Sequence, residues 1–402
     1  MTISVVASMM MLLGQWPQWG GPGRDFHADG KGLAETWPAA GPRKLWSRPL
    51  GEGYSSIAVD AGALFTMYRR GGQEVVVCLD ADTGATRWEF AYDAPFTDAY
   101  EMREGPGPHA TPLVAGNLVF TAGATAKLHA LEKRTGRRVW SHDLIAEFGG
   151  TIRPRGYSSS PLAWKDTILV MAGGAGNAVL AFRQKDGSVA WKSQSFRNSP
   201  SSPMIIRVDG QDQLVAFLYG EIVGLNPDHG ELLWQHAHPS EFGLNISTPI
   251  WGPDNVLFIS SAYGGGARGL ELRRQGGGTV IKELWAHRAM RIHFGNAIRV
   301  GDHIYGSSGD FGPTPFTCLE ARTGKILWRD RALNKTSFLY AGGRFLMVEE
   351  DGDLILASPG ESGLRIHARA PLLAGNAWTG PALAGTRLYL RDRKVILAVD
   401  LQ

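Results

Sequence analysis

Cysteine is scarce in this chain. Its 402 residues include two cysteines, Cys78 and Cys318. Two thiols cannot build a disulfide framework or a four-ligand zinc site, so both of these structural classes are excluded. The net charge is also small, at +3 from 41 basic and 38 acidic residues, and the sequence contains no block of lysine and arginine. This balance argues against nucleic acid as a partner.

Long hydrophobic runs are missing as well. The segment MTISVVASMMMLLGQ, residues 1–15, carries an apolar run of about eleven residues, which is too short for a membrane-spanning helix. Such a run is typical of the central part of a secretory signal, although no Lys or Arg precedes it. No cysteine follows it, so a lipid-anchored protein is not expected. We therefore expect residues 1–15 to be a signal peptide of an exported protein, periplasmic or secreted; a poorly packed tail is the alternative.

Tryptophan, in contrast, recurs at a nearly regular interval. Seven of the tryptophans are separated by 42, 52, 51, 43, 51 and 43 residues. An eighth is expected near Ala370, where the sequence has no Trp. A period of this size indicates an array of small supersecondary units. The seven residues are Trp46, Trp88, Trp140, Trp191, Trp234, Trp285 and Trp328.

The same phrase closes most units. CLDADTGATRW runs from Cys78 to Trp88, and CLEARTGKILW runs from Cys318 to Trp328. In this pattern the small first residue lets two strands approach, the glycine adopts a positive φ in a turn, and the Trp fills the gap against the next sheet. Both cysteines occupy the small-residue position, which predicts that they are buried packing residues.

Each unit holds up to four short apolar runs broken by Gly and Asp turns, which is typical of antiparallel strands. The last unit has three such runs, whereas segment 42–50 is a lone Trp-bearing strand. Pairing the two would remove two open sheet edges. We predict an all-β fold, an eight-bladed β-propeller of four-stranded antiparallel blades over residues 42–402, closed by that strand and preceded by an N-terminal extension at 16–41. A straight solenoid is the alternative. Blades are expected to begin near residues 54, 108, 156, 199, 245, 292, 335 and 377.

The pattern A-x-D-x-x-T-G-x-x-x-W resembles the tryptophan-docking motif of the pyrroloquinoline-quinone-like (PQQ-like, or quinoprotein-like) β-propellers. The resemblance extends from Pro42 onward, with an insertion in the fifth unit, GLELRRQGGGTVIKELW. The opening WPQWGGPGRDF is similar to that of exported bacterial repeat proteins. The resemblance implies one of several functions, since the superfamily contains quinoprotein alcohol dehydrogenases, outer-membrane assembly scaffolds and sensor domains.

The dehydrogenases of that superfamily hold a quinone over the channel, with a Trp on one face and often two adjacent cysteines on the other. Calcium is held by Glu and Asn or Asp, and an Asp acts as base. This chain has no adjacent cysteines and no matching set of carboxylates and amides. We therefore predict a non-catalytic binding or scaffold module with no cofactor, no metal and no catalytic residue. A PQQ- and calcium-dependent oxidoreductase similar to quinoprotein alcohol dehydrogenases is the alternative.

Other chemistry finds little support. The pair His236 and His238 shares one strand face and is expected to be exposed at an outer edge, without a third ligand for a metal. Four carboxylates in the loop after the first blade could form a glycosidase pair or a calcium site, and a solvated loop is the simpler interpretation. These residues are Asp93, Asp98, Glu101 and Glu104.

Register predicts where a ligand would bind. When the innermost strands are aligned on their Ser/Thr position, the residue two positions earlier should stand at one mouth of the channel. Lys335, Trp378, Tyr54 and His109 then lie side by side as a cradle for a flat or anionic ligand; the alternative is that they merely fill and hydrate the channel. The full aligned set is Tyr54, His109, Ser158, Pro200, Ile246, His293, Lys335 and Trp378, and Arg155, Tyr157 and Asn245 are expected near the same mouth. His293 should face His109 across the channel. Loops 93–109 and 146–157 would contact a protein partner of a monomeric propeller.

Overall fold

The computed structural model describes residues 15–95, 105, 107–152, 154–310 and 312–402. Eight sheets surround a central channel, and within the described ranges the only helical element is a short 3-10 turn, Glu241–Gly243. The predicted eight-bladed β-propeller is confirmed.

The N-terminal part contributes β1 (His27–Ala28) and β2 (Arg43–Pro49). The strands of blades 1 and 2 are Ala58–Asp60 (β3), Ala63–Arg70 (β4), Gln73–Asp80 (β5), Thr86–Asp93 (β6), Leu113–Ala115 (β7), Leu118–Ala122 (β8), Lys127–Glu132 (β9) and Arg138–Asp143 (β10). Those of blades 3 and 4 are Leu162–Trp164 (β11), Thr167–Met171 (β12), Val179–Arg183 (β13), Val189–Ser193 (β14), Met204–Val208 (β15), Gln211–Phe217 (β16), Glu221–Leu225 (β17) and Leu232–Ala237 (β18).

Blades 5 and 6 contain Ile250–Trp251 (β19), Val256–Ser261 (β20), Gly266–Gln275 (β21), Gly278–His287 (β22), Ile292–Val300 (β23), His303–Ser308 (β24), Phe316–Glu320 (β25) and Ile326–Asp330 (β26). Blades 7 and 8 contain Thr336–Ala341 (β27), Arg344–Glu349 (β28), Asp353–Pro359 (β29), Leu364–Pro371 (β30), Ala382–Ala384 (β31), Arg387–Arg391 (β32) and Val395–Asp400 (β33). In most blades the first strand begins a few residues after the predicted start of the blade, because the residues between run along the channel without regular pairing.

The ring closes as predicted. β2 pairs antiparallel with β33, and Trp46 lies opposite Ala398. The sheet order β2–β33–β32–β31 makes the first propeller strand the outermost strand of blade 8. Closure therefore joins the two ends of the propeller sequence through backbone hydrogen bonds.

The repeat tryptophans lie in the seams between blades. Six of the seven donate Nε1–H to a backbone carbonyl of the next blade over 2.8 to 3.2 Å, as Trp46 does to Ala81 and Trp88 to Lys133. Turn glycines of the next blade sit against the indole rings. A Cβ on Gly136, for example, would lie 2.5 Å from the ring of Trp88, and Gly136 has a φ of +72°. Only a residue without a side chain fits this turn and this contact.

Blade 5 departs from the pattern because of its insertion. The added residues lengthen the β21–β22 hairpin to two ten-residue strands. Trp234, which faces this blade, donates its Nε1–H to the side chain of Gln213 in its own blade instead of to a carbonyl of the next one. Gly269 still lies opposite Trp285, so the small-residue position is retained.

In blade 7 the position equivalent to the repeat Trp differs from the one expected from the sequence. A bulge in the β29–β30 pairing places Ala368 opposite Leu356, whereas Ala370 lies opposite Leu354. In the other blades the residue just before this bulge pairs with the Trp. The vacant Trp position is therefore Ala368, 40 residues after Trp328 and two residues earlier than expected.

The N-terminal extension is part of the propeller. β1 pairs in parallel with β27, the innermost strand of blade 7, and makes that sheet five-stranded. Trp16 forms a bridge with Val59 in blade 1, and Pro17 accepts the backbone N–H of Val114 in blade 2. Residues 15–28 thus enter the channel and bond to innermost strands around it.

A buried arginine fixes this segment in place. Arg24 is 3% exposed, and its guanidinium donates to the carbonyl oxygens of Ser160 and Pro161 in blade 3 and to the side chain of Gln18. The imidazole of His27 is bonded to the carbonyl of Arg299 in blade 6. Residues 15–28 therefore form a plug that closes one side of the channel.

Candidate functional site

The open side of the channel holds a cavity of about 440 Å³. The structure brings all eight residues of the aligned column to its wall, namely Tyr54, His109, Ser158, Pro200, Ile246, His293, Lys335 and Trp378. They share this wall because each occupies the same register position on the innermost segment of its blade. That they bind a ligand stays a prediction.

Trp19 of the plug forms the floor of the cavity. Its Nε1–H donates to Thr248 Oγ1 in blade 5 over 2.8 Å. The opposite edge of the indole lies beside Gly380 in blade 8. Because one end of the ring contacts blade 5 and the other contacts blade 8, the indole lies across one end of the cavity, and the cavity above it is the cup.

Several aromatic rings line one part of the wall and stack mainly on one another. Tyr54 lies between His109, at a centroid distance of 5.7 Å and an interplanar angle of 2°, and Trp378, at 5.2 Å and 23°. Phe294 follows at 4.9 Å from Trp378. Both faces of Tyr54 are thus occupied by neighbouring rings, so this part of the wall presents ring edges more than free faces to the cup.

A short hydrogen-bonded chain continues the wall beyond Phe294. Lys335 Nζ lies 3.1 Å from His293 Nδ1 and 4.3 Å from the centroid of the Phe294 ring. His293 Nε2 lies 2.6 Å from the hydroxyl of Tyr263. A protonated lysine can only donate, so His293 Nδ1 accepts, and the neutral imidazole carries its proton on Nε2.

The two histidines of the cup are held in the neutral form. Burial, reinforced by the positive charge of Arg155, lowers the pKa of His109 to about 4. Burial lowers the pKa of His293 to about 3, and the charges of Lys335 and Arg155 act in the same direction. Burial also lowers the pKa of Lys335, while Glu350 and Asp310 oppose that shift. At neutral pH the wall therefore carries its positive charge on Lys335 and Arg155.

The carboxylates of the cup are engaged by donors of the wall. Glu350 accepts the Nε1–H of Trp378 over 3.2 Å. Asp310 forms an ion pair with Arg291 over 3.1 Å. Each acid is therefore engaged through one oxygen, and Asp310 Oδ1 is buried without a hydrogen-bond partner among the described residues.

The three residues expected near the mouth have different places. Arg155 lines the cup. Tyr157 is 1% exposed and packs in the core between blades 2 and 3. Asn245 is fully buried, and its amide bonds to the carbonyl of Leu218 and to the hydroxyls of nearby serines. Neither Tyr157 nor Asn245 contributes to the cavity wall, because buried structural contacts hold their side chains.

Several lining residues were missed by sequence reasoning. Phe294 follows His293 on β23, where a bulge between Ile292 and Ala297 allows consecutive side chains to reach the cup. Blade 6 has Gly295 at a position that holds Ser or Thr in six blades and Gly380 in blade 8, and this irregularity was the available signal. Trp19 belongs to the opening WPQW, whose two tryptophans in four residues were the available signal, although they do not show where the segment lies.

The remaining candidates from the sequence are structural or lie outside the described residues. Cys78 and Cys318 are buried opposite Trp88 and Trp328, as predicted for packing residues. The prediction of an exposed histidine pair was wrong for His238, which is buried and accepts a hydrogen bond from Arg268.

The carboxylate cluster of the first long loop is only partly described. Asp93 accepts a hydrogen bond from Gln73 at the surface. Asp98, Glu101 and Glu104 lie outside the described residues, as does most of loop 93–109.

Comparison with known proteins assigns the chain to a family. The family model described as "Outer membrane protein assembly factor BamB" matches residues 35–106 and 72–330. The chain belongs to this family of PQQ-like β-propellers.

Individual relatives divide between two classes. The outer membrane protein assembly factor BamB of Yersinia pestis is 23% identical over 303 residues, which cover 71% of this chain and 72% of that protein. The quinohemoprotein alcohol dehydrogenase of Comamonas testosteroni is 22% identical over 259 residues, which cover 57% of this chain and 34% of that enzyme. The match thus spans about a third of the enzyme's length.

Solved structures share the fold with both classes. BamB from Moraxella catarrhalis superposes with a TM-score of 0.63 at 17% identity, covering 89% of this chain and 100% of that one. The Comamonas testosteroni enzyme superposes with a TM-score of 0.66 at 14% identity, covering 96% of this chain and 80% of that one. At these identities the similarity extends to the fold alone.

The residues of the cup do not fit a calcium-bound quinone. Calcium prefers about six to eight oxygen ligands, whereas the described lining offers two carboxylates, Glu350 and Asp310, each with one oxygen already bound to a donor, and two cations face the same space. Among the described residues no group of three or more His, Cys, Asp or Glu is arranged to hold a metal ion. Both cysteines lie inside blades, away from the channel. The described residues of the cup therefore do not match the site that a quinone-dependent oxidoreductase would need.

Proposed function

We propose that this chain is a non-catalytic binding module that holds a partner at the open mouth of the cup. The observation that carries the proposal is the combination of a plug on one side of the channel with a lined cavity beside it. Trp19 of the plug lies at the base of the cavity, and the aromatic wall also carries Lys335 and Arg155. A rigid cup framed by loops suits recognition, because the blades fix the geometry of every lining residue.

The partner is proposed to be another protein. The family model and a BamB relative are named for outer-membrane protein assembly. Described parts of the loops expected to contact a partner, including Arg155, reach the mouth. A small ligand in the cup is the alternative to a protein partner.

Export and a monomeric state complete the proposal. No helix in the described part of the chain is long and apolar enough to span a membrane. We propose a periplasmic or secreted location, a signal within residues 1–15 and no cofactor. The mature N-terminus of exported protein, read by mass spectrometry, and light scattering of the purified protein test these points. Cytoplasmic retention of the whole chain would contradict export.

The first experiment separates this function from quinone chemistry. The purified protein is titrated with PQQ and calcium while absorbance is followed, and dye reduction is measured with a primary alcohol. We expect no saturable binding and no alcohol-dependent reduction. Saturable binding together with turnover would replace the proposal by the oxidoreductase.

The second experiment locates the partner. A photo-reactive amino acid is placed at Phe242 on the mouth rim and, as a control, at Ile366 on the outer strand of blade 7, which is 43% exposed. The partner should cross-link at the rim and not at the outer strand. The double variant Trp378→Ala, Lys335→Ala should abolish the rim product, and an unchanged product would dispose of the cup as the binding site.

A further inference from the structure

Lys335 is a cation of the cup that forms no ion pair with any described carboxylate. Its Nζ is bonded to neutral His293 and to the carbonyl oxygen of Asp310, at 3.1 and 3.2 Å. Among the described residues no carboxylate oxygen lies within the 4.0 Å expected of an ion pair with Nζ. An ammonium has three donors, and two are used here. Within the described residues the third donor is left for an anionic group entering the cup, although Glu350 and Asp310 already act on the charge from a longer distance.

Rings lead from this cation to the outer rim. Lys335 contacts His293, His293 contacts Tyr263, and the ring of Tyr263 meets that of Phe242 edge-on at a centroid distance of 6.2 Å. On its other side Lys335 contacts Phe294. An anion bound at Lys335 would therefore have an apolar path beside it that continues out of the cup.

Phe242 is held at the rim in a conformation that a bulky residue rarely adopts. Its φ is +62°, within the 3-10 turn Glu241–Gly243, and its side chain is 63% exposed. Tyr263, which it contacts, has a φ of +50°. Positive φ is unfavourable for such residues and is often retained where it serves binding. An exposed aromatic at a strained position, continuous with the cavity wall, is the kind of residue that anchors a polypeptide partner.

We infer that the cup binds the C-terminal end of a partner polypeptide. The terminal carboxylate pairs with Lys335, the last side chain is apolar and lies in the cup against Phe294 and Trp378, and the preceding residues cross the rim at Phe242. This inference rests on the proposed function and names the part of the partner that enters. A charge-assisted hydrogen bond in a partly desolvated cup gives the carboxylate its selectivity.

The same chemistry could come from a free aromatic acid of small size. A small acid would use Lys335 and the cup but would not reach Phe242. A polypeptide end would use both. The dependence of affinity on Phe242 therefore distinguishes the two sources.

The experiment uses defined probes. Calorimetry compares the acetylated hexapeptide Thr-Val-Ser-Val-Thr-Phe with a free C-terminal carboxylate, the same peptide as a carboxamide, and N-acetylphenylalanine. We expect the free acid to bind about tenfold or more tightly than the amide. Lys335→Met should remove this preference and Lys335→Arg should retain it. Lys185→Met, in an exposed turn on the opposite face, should change nothing.

The rim is tested in parallel. Phe242→Ala should weaken the hexapeptide several-fold and leave N-acetylphenylalanine unchanged, while Ile366→Ala affects neither. Equal affinity for acid and amide, no binding of either peptide, or a preference that survives in Lys335→Met would overturn the inference.

The source of the carboxylate is tested separately. If a small acid binds as tightly as the peptide and Phe242→Ala has no effect, the ligand is not the end of a polypeptide. If a rim cross-link is still lost in the Trp378→Ala, Lys335→Ala variant while acid and amide bind equally, the inference fails and the proposed function stands. A matching unfolding midpoint of each variant and wild type shows that folding is retained.

Discussion

Trp46 and Ala398 lie opposite each other across the pairing of the first and last strands of the propeller. The indole of Trp46 also donates to the carbonyl of Ala81 in blade 1. Trp46 thus belongs to the outermost strand of blade 8 and also fills the seam between blades 8 and 1. The stability of the ring should therefore depend strongly on this side chain.

Trp46→Ala should lower the free energy of unfolding by about 3 kcal/mol, because it removes a large side chain from a seam and the shorter of the two hydrogen bonds to the Ala81 carbonyl. Lys44→Ala, at an exposed position of the same strand, should change it by less than about 0.5 kcal/mol. Urea unfolding followed by tryptophan fluorescence measures both. Similar values for the two variants would show that closure does not depend on the seam.

A comparison of two turn glycines in blade 2 distinguishes the cost of backbone strain from the cost of overpacking. Gly136 and Gly116 have φ values of +72° and +57°, but a Cβ would collide with Trp88 only at Gly136. Both alanine variants should suffer from the left-handed backbone, and Gly136→Ala should be about 1–3 kcal/mol less stable than Gly116→Ala because of overpacking. Thermal unfolding of the pair gives the difference. Equal losses would mean that the indole contact is loose.

The plug should depend on its buried arginine. Arg24→Met retains most of the volume but leaves the carbonyl oxygens of Ser160 and Pro161 without donors. We expect a loss of about 2–4 kcal/mol and faster proteolytic cleavage within residues 15–28. Arg43→Met, whose side chain is 72% exposed beside Asp400, should cost less than about 1 kcal/mol. An Arg24→Met protein as stable and as resistant as wild type would refute the structural role of the plug.

The buried His129 should make stability sensitive to acid. Burial lowers its pKa to about 3, with smaller contributions from Arg138 and Lys127. An unfolded histidine has a pKa of about 6.5. Between these values the unfolded state binds a proton that the folded state does not, so stability falls as the pH falls below about 6.5.

The difference between wild type and His129→Phe isolates this effect. The wild type should lose up to about 1.4 kcal/mol more per pH unit than the variant between about pH 6 and about pH 4. Denaturant unfolding at several pH values measures it. His229→Gln, at an exposed position, should retain the slope of the wild type, and parallel slopes for wild type and His129→Phe would contradict the prediction.

Both thiols should be inert in the folded protein. Burial raises the pKa of Cys78 to about 12 and that of Cys318 to about 11. Since the thiolate is the reactive form, a disulfide reagent should label neither cysteine until denaturant is added. A Val189→Cys variant, exposed on the outer strand of blade 3, should label at once. Native labelling of Cys78 or Cys318 would show that its blade opens.

The sequence determined the blades, because each blade is built by local rules that repeat. The interval between tryptophans, the turn glycines and the alternation of short apolar runs are local properties, so they could be counted along the chain. The lone strand at 42–50 and the short last unit also determined closure, since the edges of a propeller must be paired. Even the column of residues around the cup followed from register, as with Tyr54, His109 and Trp378.

The tertiary structure alone decided what these residues surround. The plug has no period, and its contacts join Trp16, Trp19 and Arg24 to blades far along the chain, so no local pattern could place them. The stacking of Tyr54 between two neighbours likewise depends on the angle between blades, as does the meeting of Lys335 with His293 over a separation of 42 residues. Register predicts which side chains reach the channel, but the packing of the ring decides which of their faces and charges remain open to a partner.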